Sequence, residues 1–315
     1  MSRRGLSPAA LTRVREIVAP AGKVLRVRPL HGGISSSVHL VHLETEDGRC
    51  RSVIVRRYGS YMQRTDPTAC EREFKLLAVL SRLGQLVPRP LYLDASGGPF
   101  GAPTILMTRV PGRPLLTPRN LSVYLDQMAR ALVRLHAVPT TELDFLPDQR
   151  IYVERALGDS RAPSASDDPL QTEVWAAACR LWPRVSSACG ERTLLHGDYW
   201  PGNLLWIRQR LVGIVDWEQP RLGDPAKDVA TCRGDLSILF GLDAADEFVQ
   251  HYASARGATP ANLGFWDVLI STWAVREIEQ WSVVYPPLGR PELAPAIARQ
   301  KIRKFAERAL AAARA

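Results

Sequence analysis

Residues 193–218, TLLHGDYWPGNLLWIRQRLVGIVDWE, decide how the rest of the chain reads. An apolar run leads into His196-Gly197-Asp198, a tight loop carries Asn203, and two further apolar runs separated by a polar turn end at Asp216. Runs of this length bounded by turn residues read as short buried strands. Two carboxylates and one carboxamide therefore fall at strand exits. The step from Asp198 to Asn203 is too long for strand neighbours and suits a loop that turns both side chains to one mouth, with Pro201 and Gly202 making the turn. Phosphoryl transfer needs such a set: one group to orient an acceptor hydroxyl, and oxygen ligands for Mg²⁺. Asp198 suits the first task. Asn203 and Asp216 suit the second, because Mg²⁺ keeps waters and substrate phosphate and takes only one or two protein carboxylates. The plainer alternative, that Asp198 and Asp216 merely cap loop ends, does not explain why the polar residues gather at strand exits together.

Three motifs stand in order: His196-Gly197-Asp198 with Asn203, then Val215-Asp216-Trp217-Glu218, then Gly223-Asp224-Pro225 with Asp228-Val229-Ala230. Together they resemble the signature of the aminoglycoside phosphotransferase and choline kinase-like family, whose HGD loop is similar to the H-R-D loop of protein kinases. The resemblance implies an α+β, two-lobed protein-kinase-like fold. A small mixed-sheet N-lobe would occupy residues 1–108 and a larger, mostly helical C-lobe residues 109–315. It implies ATP and Mg²⁺ as cofactors. The acceptor would be a hydroxyl of a small molecule: an aminoglycoside or other antibiotic, an amino alcohol or a sugar-like metabolite.

Other site residues are implied by the same resemblance. The glycine and serine loop before residue 38 would cover nucleotide phosphates, with Ser35 and Ser36 as candidates. Arg56 stands where kinases carry a phosphate-binding lysine, with Glu73 as its helix partner and Glu71 the alternative. A guanidinium is bulkier and binds phosphate as a fork, so the exchange is not conservative, and a nucleotide-binding pseudokinase without transfer activity is the alternative function. The Thr108 carbonyl and Val110 amide would meet the adenine edge, and Asp228 would support the catalytic loop. Asp235, Glu277, Glu279 and Trp200 are candidates for the acceptor pocket.

Composition bounds these expectations. At 315 residues the chain exceeds the usual single domain, and 46% hydrophobic residues can build a substantial core. Its five cysteines are widely spaced with no C-x-x-C pair, which argues against a disulfide framework or zinc site and suits reduced thiols in a cytoplasmic protein. No apolar run approaches the roughly 18 residues of a membrane span. The net charge of +9 is uneven: residues 1–110 hold 17 Lys and Arg against 8 acids, residues 231–288 only 3 Arg against 7 acids. No stretch interleaves basic and aromatic residues in the manner of a single-strand binder, so a phosphate-attracting surface is expected rather than nucleic-acid binding. The acidic excess would suit an amine-bearing acceptor. A monomer or homodimer is expected.

Along the chain, Ser7 and Pro8 open a helix whose stripe is Leu11, Val14, Ile17 and Val18. Strands are expected over 24–27, 38–44, 52–58, 91–94 and 104–107, with a helix over 68–83. Residues 120–137 read as a helix in which His136 complements the dipole. Residues 147–169, rich in Pro, Ser, Asp and Gly, read as a loop, and 171–182 as a helix ending at Pro183. Helices over 236–252 and 265–284 follow, then an amphipathic C-terminal helix.

Overall fold

The computed structural model of the chain describes residues 5–30, 36–158, 162–164, 167–187 and 191–314, so Ser35 and Cys189 lie outside the described residues. Contacts group the chain into two units, Met1–Pro111 with Gly213–Glu218, and Gly112–Val212 with Gln219–Ala315.

In the first unit, α1 (Pro8–Val18) starts as the sequence predicts. Ser7 Oγ accepts the Ala10 amide, and Pro8 takes the first helical position, where its missing N–H would have no partner anyway. Five strands form one sheet: β1 (Lys23–Leu30), β2 (Ser36–Glu44), β3 (Cys50–Tyr58), β4 (Pro90–Asp94) and β5 (Thr104–Thr108), in the order β1-β2-β3-β5-β4. Every pairing is antiparallel, which corrects the expected mixed sheet. The reason is the route of the chain. After β3 it passes through α2 (Ser60–Thr65) and α3 (Ala69–Arg82) to the far edge, and the short reversal from β4 drops β5 into the gap beside β3.

The period-2 alternation of β3 divides its labour. Val53 and Val55 join Val14, Val41, Leu43 and Leu106 in a core under α1. On the other face, Arg56 and Tyr58 turn towards buried Glu73 of α3. Leu76, Leu77 and Leu80 anchor that helix, each buried leucine stabilising by about 1.5–3 kcal/mol, and so hold the glutamate in place.

The second unit runs α4 (Leu121–His136), α5 (Gln149–Ala156), α6 (Pro169–Ser187), β6 (Thr193–Leu195), β7 (Leu204–Ile207), β8 (Arg210–Ile214, whose last two residues are grouped with the first unit), β9 (Arg221–Gly223), α7 (Ala226–Leu239), α8 (Leu242–Arg256), α9 (Leu263–Trp281) and α10 (Pro295–Arg314). β6 pairs antiparallel with β9, and β7 with β8 makes a second two-stranded ribbon. Val174, Trp266, Leu269, Ile302 and Phe305 are among the residues of its core.

Three expectations change here. The loop over 147–169 contains α5, which Asp148 caps through the Arg150 amide and fully buried Val153 anchors. α6 continues through Pro183, because Trp182 stacks on Phe265 with centroids 5.6 Å apart and keeps the last turn on the core. The helix expected over 236–252 breaks at Gly241, whose φ of +102° ends α7 and lets α8 start in a new direction. Cys50, Cys70 and Cys232 are free thiols. Among the described residues, no helix is long and apolar enough to cross a membrane.

Candidate active site

The loop after β6 is built around a glycine. Gly197 has φ +87°, and a Cβ there would fall 2.0 Å from the Gln219 carbonyl oxygen, so no side chain fits. This lets the chain reverse and present Asp198. Pro201–Asn203 then forms a single tight turn, and Asn203 Nδ2 donates to the Asp198 carbonyl at 2.9 Å and to Asp198 Oδ2 at 3.0 Å. The expected meeting of Asp198 and Asn203 is thus present. The Asp198 amide donates to His196 Nδ1 at 3.2 Å, and the Tyr199 hydroxyl to the Met128 carbonyl of α4 at 2.8 Å.

Asp228, wholly buried near the start of α7, lies beneath this loop. Its carboxylate accepts the His196 amide at 2.6 Å and the Gly197 amide at 3.0 Å, and His136 Nε2 lies 3.5 Å away. Burial alone would raise its pKa, but the hydrogen bond from His136 and the charge of Lys227 outweigh it and hold the group down to about 2. The Gly223-Asp224-Pro225 motif starts α7: Asp224 accepts the amide of Ala226 and, from α9 and the residue before it, Trp266 Nε1 at 3.0 Å and Asn262 Nδ2 at 2.7 Å. His136 was expected only to complement a helix dipole. It does stand in the last turn of α4, and in addition its Nδ1 is 2.7 Å from the Tyr252 hydroxyl, which accepts from Arg256 at 2.7 Å.

In the first unit, Arg56 meets Glu73, the partner expected for it, and also Asp216 and Glu218, which were not expected on it. The Arg56 guanidinium reaches Glu73 Oε1 at 3.3 Å, Asp216 Oδ1 at 2.5 Å and Glu218 Oε1 at 2.5 Å. Tyr58 donates its hydroxyl to Glu73 Oε2. Burial pushes the Glu73 carboxyl up to about 7 even against Arg56 and Tyr58, while the surrounding carboxylates hold the guanidinium well above its ordinary value. Asp216 has φ +70°, a left-handed conformation uncommon outside glycine. Ser36, at the start of β2, is buried, and its Oγ has no hydrogen-bond partner among the described residues.

Thr108 and Val110 stand apart from this cluster at the end of β5: Thr108 pairs with Val53, three positions along β3 from Arg56, and its Oγ1 accepts the Arg89 amide. Of the acceptor candidates, Glu277 and Glu279 sit in surface ion pairs with Arg276 and Arg299. Asp235 accepts the Tyr285 hydroxyl at 3.3 Å, and Trp200 meets the Tyr285 ring edge-on at 6.3 Å. Burial and the nearby charge of Asp198 push the Asp235 carboxyl up to about 8. Among the described residues no three His, Cys, Asp or Glu side chains form a ready metal cage. Sequence reasoning gave no role to Glu218, Tyr58 or Lys227, and Glu218 was legible two residues beyond Asp216.

Comparison with known proteins bears on this geometry. The profile of the phosphotransferase enzyme family matches residues 26–266. Mouse (Mus musculus) Acyl-CoA dehydrogenase family member 10 is 29% identical over 195 residues, 57% of this chain and 18% of that protein. Viomycin phosphotransferase of Streptomyces vinaceus is 28% identical over 168 residues, 47% of this chain and 55% of that one. The chain therefore spans between 18% and 55% of the length of these two relatives. Among solved structures, choline kinase LicA from Streptococcus pneumoniae superimposes with a TM-score of 0.61 at 20% identity, covering 95% of this chain and 96% of that one. The GDP and kanamycin complex of APH(2")-IIia gives 0.62 at 17% identity, covering 96% and 98%. These structural likenesses show a shared fold.

Proposed function

This chain belongs to the phosphotransferase enzyme family, and from that premise we propose that it transfers the γ-phosphate of Mg²⁺-bound ATP to a hydroxyl of a small molecule. The observation that carries the reading is the buried pair Arg56–Glu73 with Asp216 on the same guanidinium, the set that kinase-like phosphoryl transfer uses to hold nucleotide phosphate and metal.

The donor chemistry fits the cofactors. Asp216 and Asn203 offer the hard oxygens that Mg²⁺ takes. Ser36 Oγ, buried and without a partner among the described residues, suits a phosphate oxygen; Ser35 is proposed to act with it, and Thr108 and Val110 would meet the adenine. When bound, Mg²⁺ neutralises charge on the phosphates. Asn203 commits its Nδ2 to Asp198, which leaves its Oδ1 as the oxygen that would help hold Mg²⁺. Asp198 accepts a hydrogen bond from the acceptor hydroxyl and orients it. As the new oxygen–phosphorus bond forms, the proton passes to Asp198, and the bond to the β-phosphate oxygen breaks with its electrons leaving on ADP. Solved relatives in complex with GDP and kanamycin, and with ADP and spectinomycin, support a nucleotide beside a hydroxylated acceptor.

The test is ADP release from Mg²⁺-ATP across viomycin, kanamycin, spectinomycin and choline. At least one acceptor should raise ADP release, and Asp198→Asn should lower that rate by about 10²–10⁴-fold while the protein stays folded. No nucleotide binding by calorimetry would overturn the reading. Binding without transfer would favour a pseudokinase, to which the engagement of Arg56 by three carboxylates lends weight.

A further inference from the structure

Two consecutive residues of opposite charge grip Gly197. Asp228 accepts its amide, and the Lys227 ammonium donates to its carbonyl. The Gly197 carbonyl and the Asp198 amide belong to one peptide unit, and that amide is held by His196 Nδ1. Both ends of the peptide from which Asp198 departs are therefore fixed, one of them by a lysine only 5% exposed.

A lysine in that position is not needed to fill space, since an apolar side chain would do so without the penalty of burying an ammonium. Its charge is compensated by Asp228, 3.7 Å away, and by the carbonyl it touches. Burial still pulls its pKa below the ordinary lysine value, with Asp228 and Asp198 acting the other way. The holding matters because Gly197 lies in the left-handed region and lacks a Cβ, so its peptide can flip at little steric cost. A flip would replace the carbonyl with an N–H facing the ammonium and would pull the Asp198 amide off His196 Nδ1, freeing the backbone from which the carboxylate departs.

We infer that Lys227 is a positioning residue for Asp198: through the Gly197 carbonyl it locks the peptide that sets the direction of the carboxylate. The inference rests on the assignment of Asp198 as the group that orients the acceptor.

Lys227→Met keeps length and bulk without a donor, whereas Lys227→Gln keeps a donor without charge. Amide exchange is measured in the full chain for residues 196–198 and for the α9 core. In Lys227→Met, protection at 196–198 should fall about tenfold or more while α9 is unchanged, and Lys227→Gln should recover most of it. ADP release from Mg²⁺-ATP with water as acceptor should show kcat lowered by about 10- to 100-fold in Lys227→Met, with KM for ATP little changed. Unchanged protection at 196–198, loss spread equally over α7 and α9, or a slowing expressed in KM alone would overturn the proposal. A wild-type chain that releases no ADP with any acceptor defeats the phosphotransfer reading, and the exchange measurement then still decides the role of Lys227.

Discussion

The Asp228 carboxylate accepts the His196 amide at 2.6 Å in a place wholly closed to water. Asp228→Ala would strand two buried amides, those of His196 and Gly197, each worth about 1–3 kcal/mol when left unsatisfied. Urea unfolding should show a loss of about 2–6 kcal/mol, with Asp228→Asn falling between. The pH dependence follows from its lowered pKa: the folded state binds fewer protons, so this stability is present above the ordinary aspartate value and fades as pH falls towards about 2.

Asn203→Ala removes two hydrogen bonds to Asp198 and the oxygen proposed for the metal. If the proposed function holds, steady-state ADP release should require more Mg²⁺ for half-maximal rate and show kcat lowered by about 10²-fold. Little change in either constant would remove Asn203 from the metal site.

Arg56→Met removes the guanidinium that Glu73, Asp216 and Glu218 share. Breaking a buried ion pair on one side costs about 3–5 kcal/mol, so thermal unfolding should show a large fall in Tm. Adding Glu73→Gln should recover part of it, because the second change removes a stranded charge. Two independent, additive losses would contradict the coupling.

Asp235→Asn probes a carboxyl whose pKa is raised to about 8. Between the ordinary aspartate value and that value the folded state holds a proton the unfolded chain has lost, so wild-type stability should fall as pH rises through this window. The variant cannot ionise and should escape the fall. Its stability advantage in urea unfolding should therefore grow from pH 5 to about pH 8, by about 1.36 kcal/mol per unit at most, and level off above.

Much of this was legible in the sequence, for physical reasons. Ser7 and Pro8 carry a helix start in their own chemistry, and the β-branched run into Arg56 could only be a strand. The Asp198–Asn203 spacing across Pro201 and Gly202 forced a turn that brings the two side chains together. What stayed hidden depended on partners far along the chain. His136 looks like a helix-end residue until Tyr252 and Asp228, some hundred positions away, arrive beside it. Lys227 has no role in the sequence reading, and only its burial against Gly197, thirty positions away, reveals one. α5 was masked by turn-forming neighbours, since a helix of eight residues is specified by its cap and by one buried valine more than by periodicity.

Gly213–Glu218 is grouped with Met1–Pro111 although a hundred residues of the second unit are threaded between them. The first unit is consequently not a cassette that could be excised, swapped or expressed alone by cutting near residue 111. Such a fragment would lose Asp216 and Glu218, two of the three anions on Arg56, and with them the group proposed for the metal. Arg56 therefore keeps its full set of carboxylates only while the chain runs unbroken through residue 218.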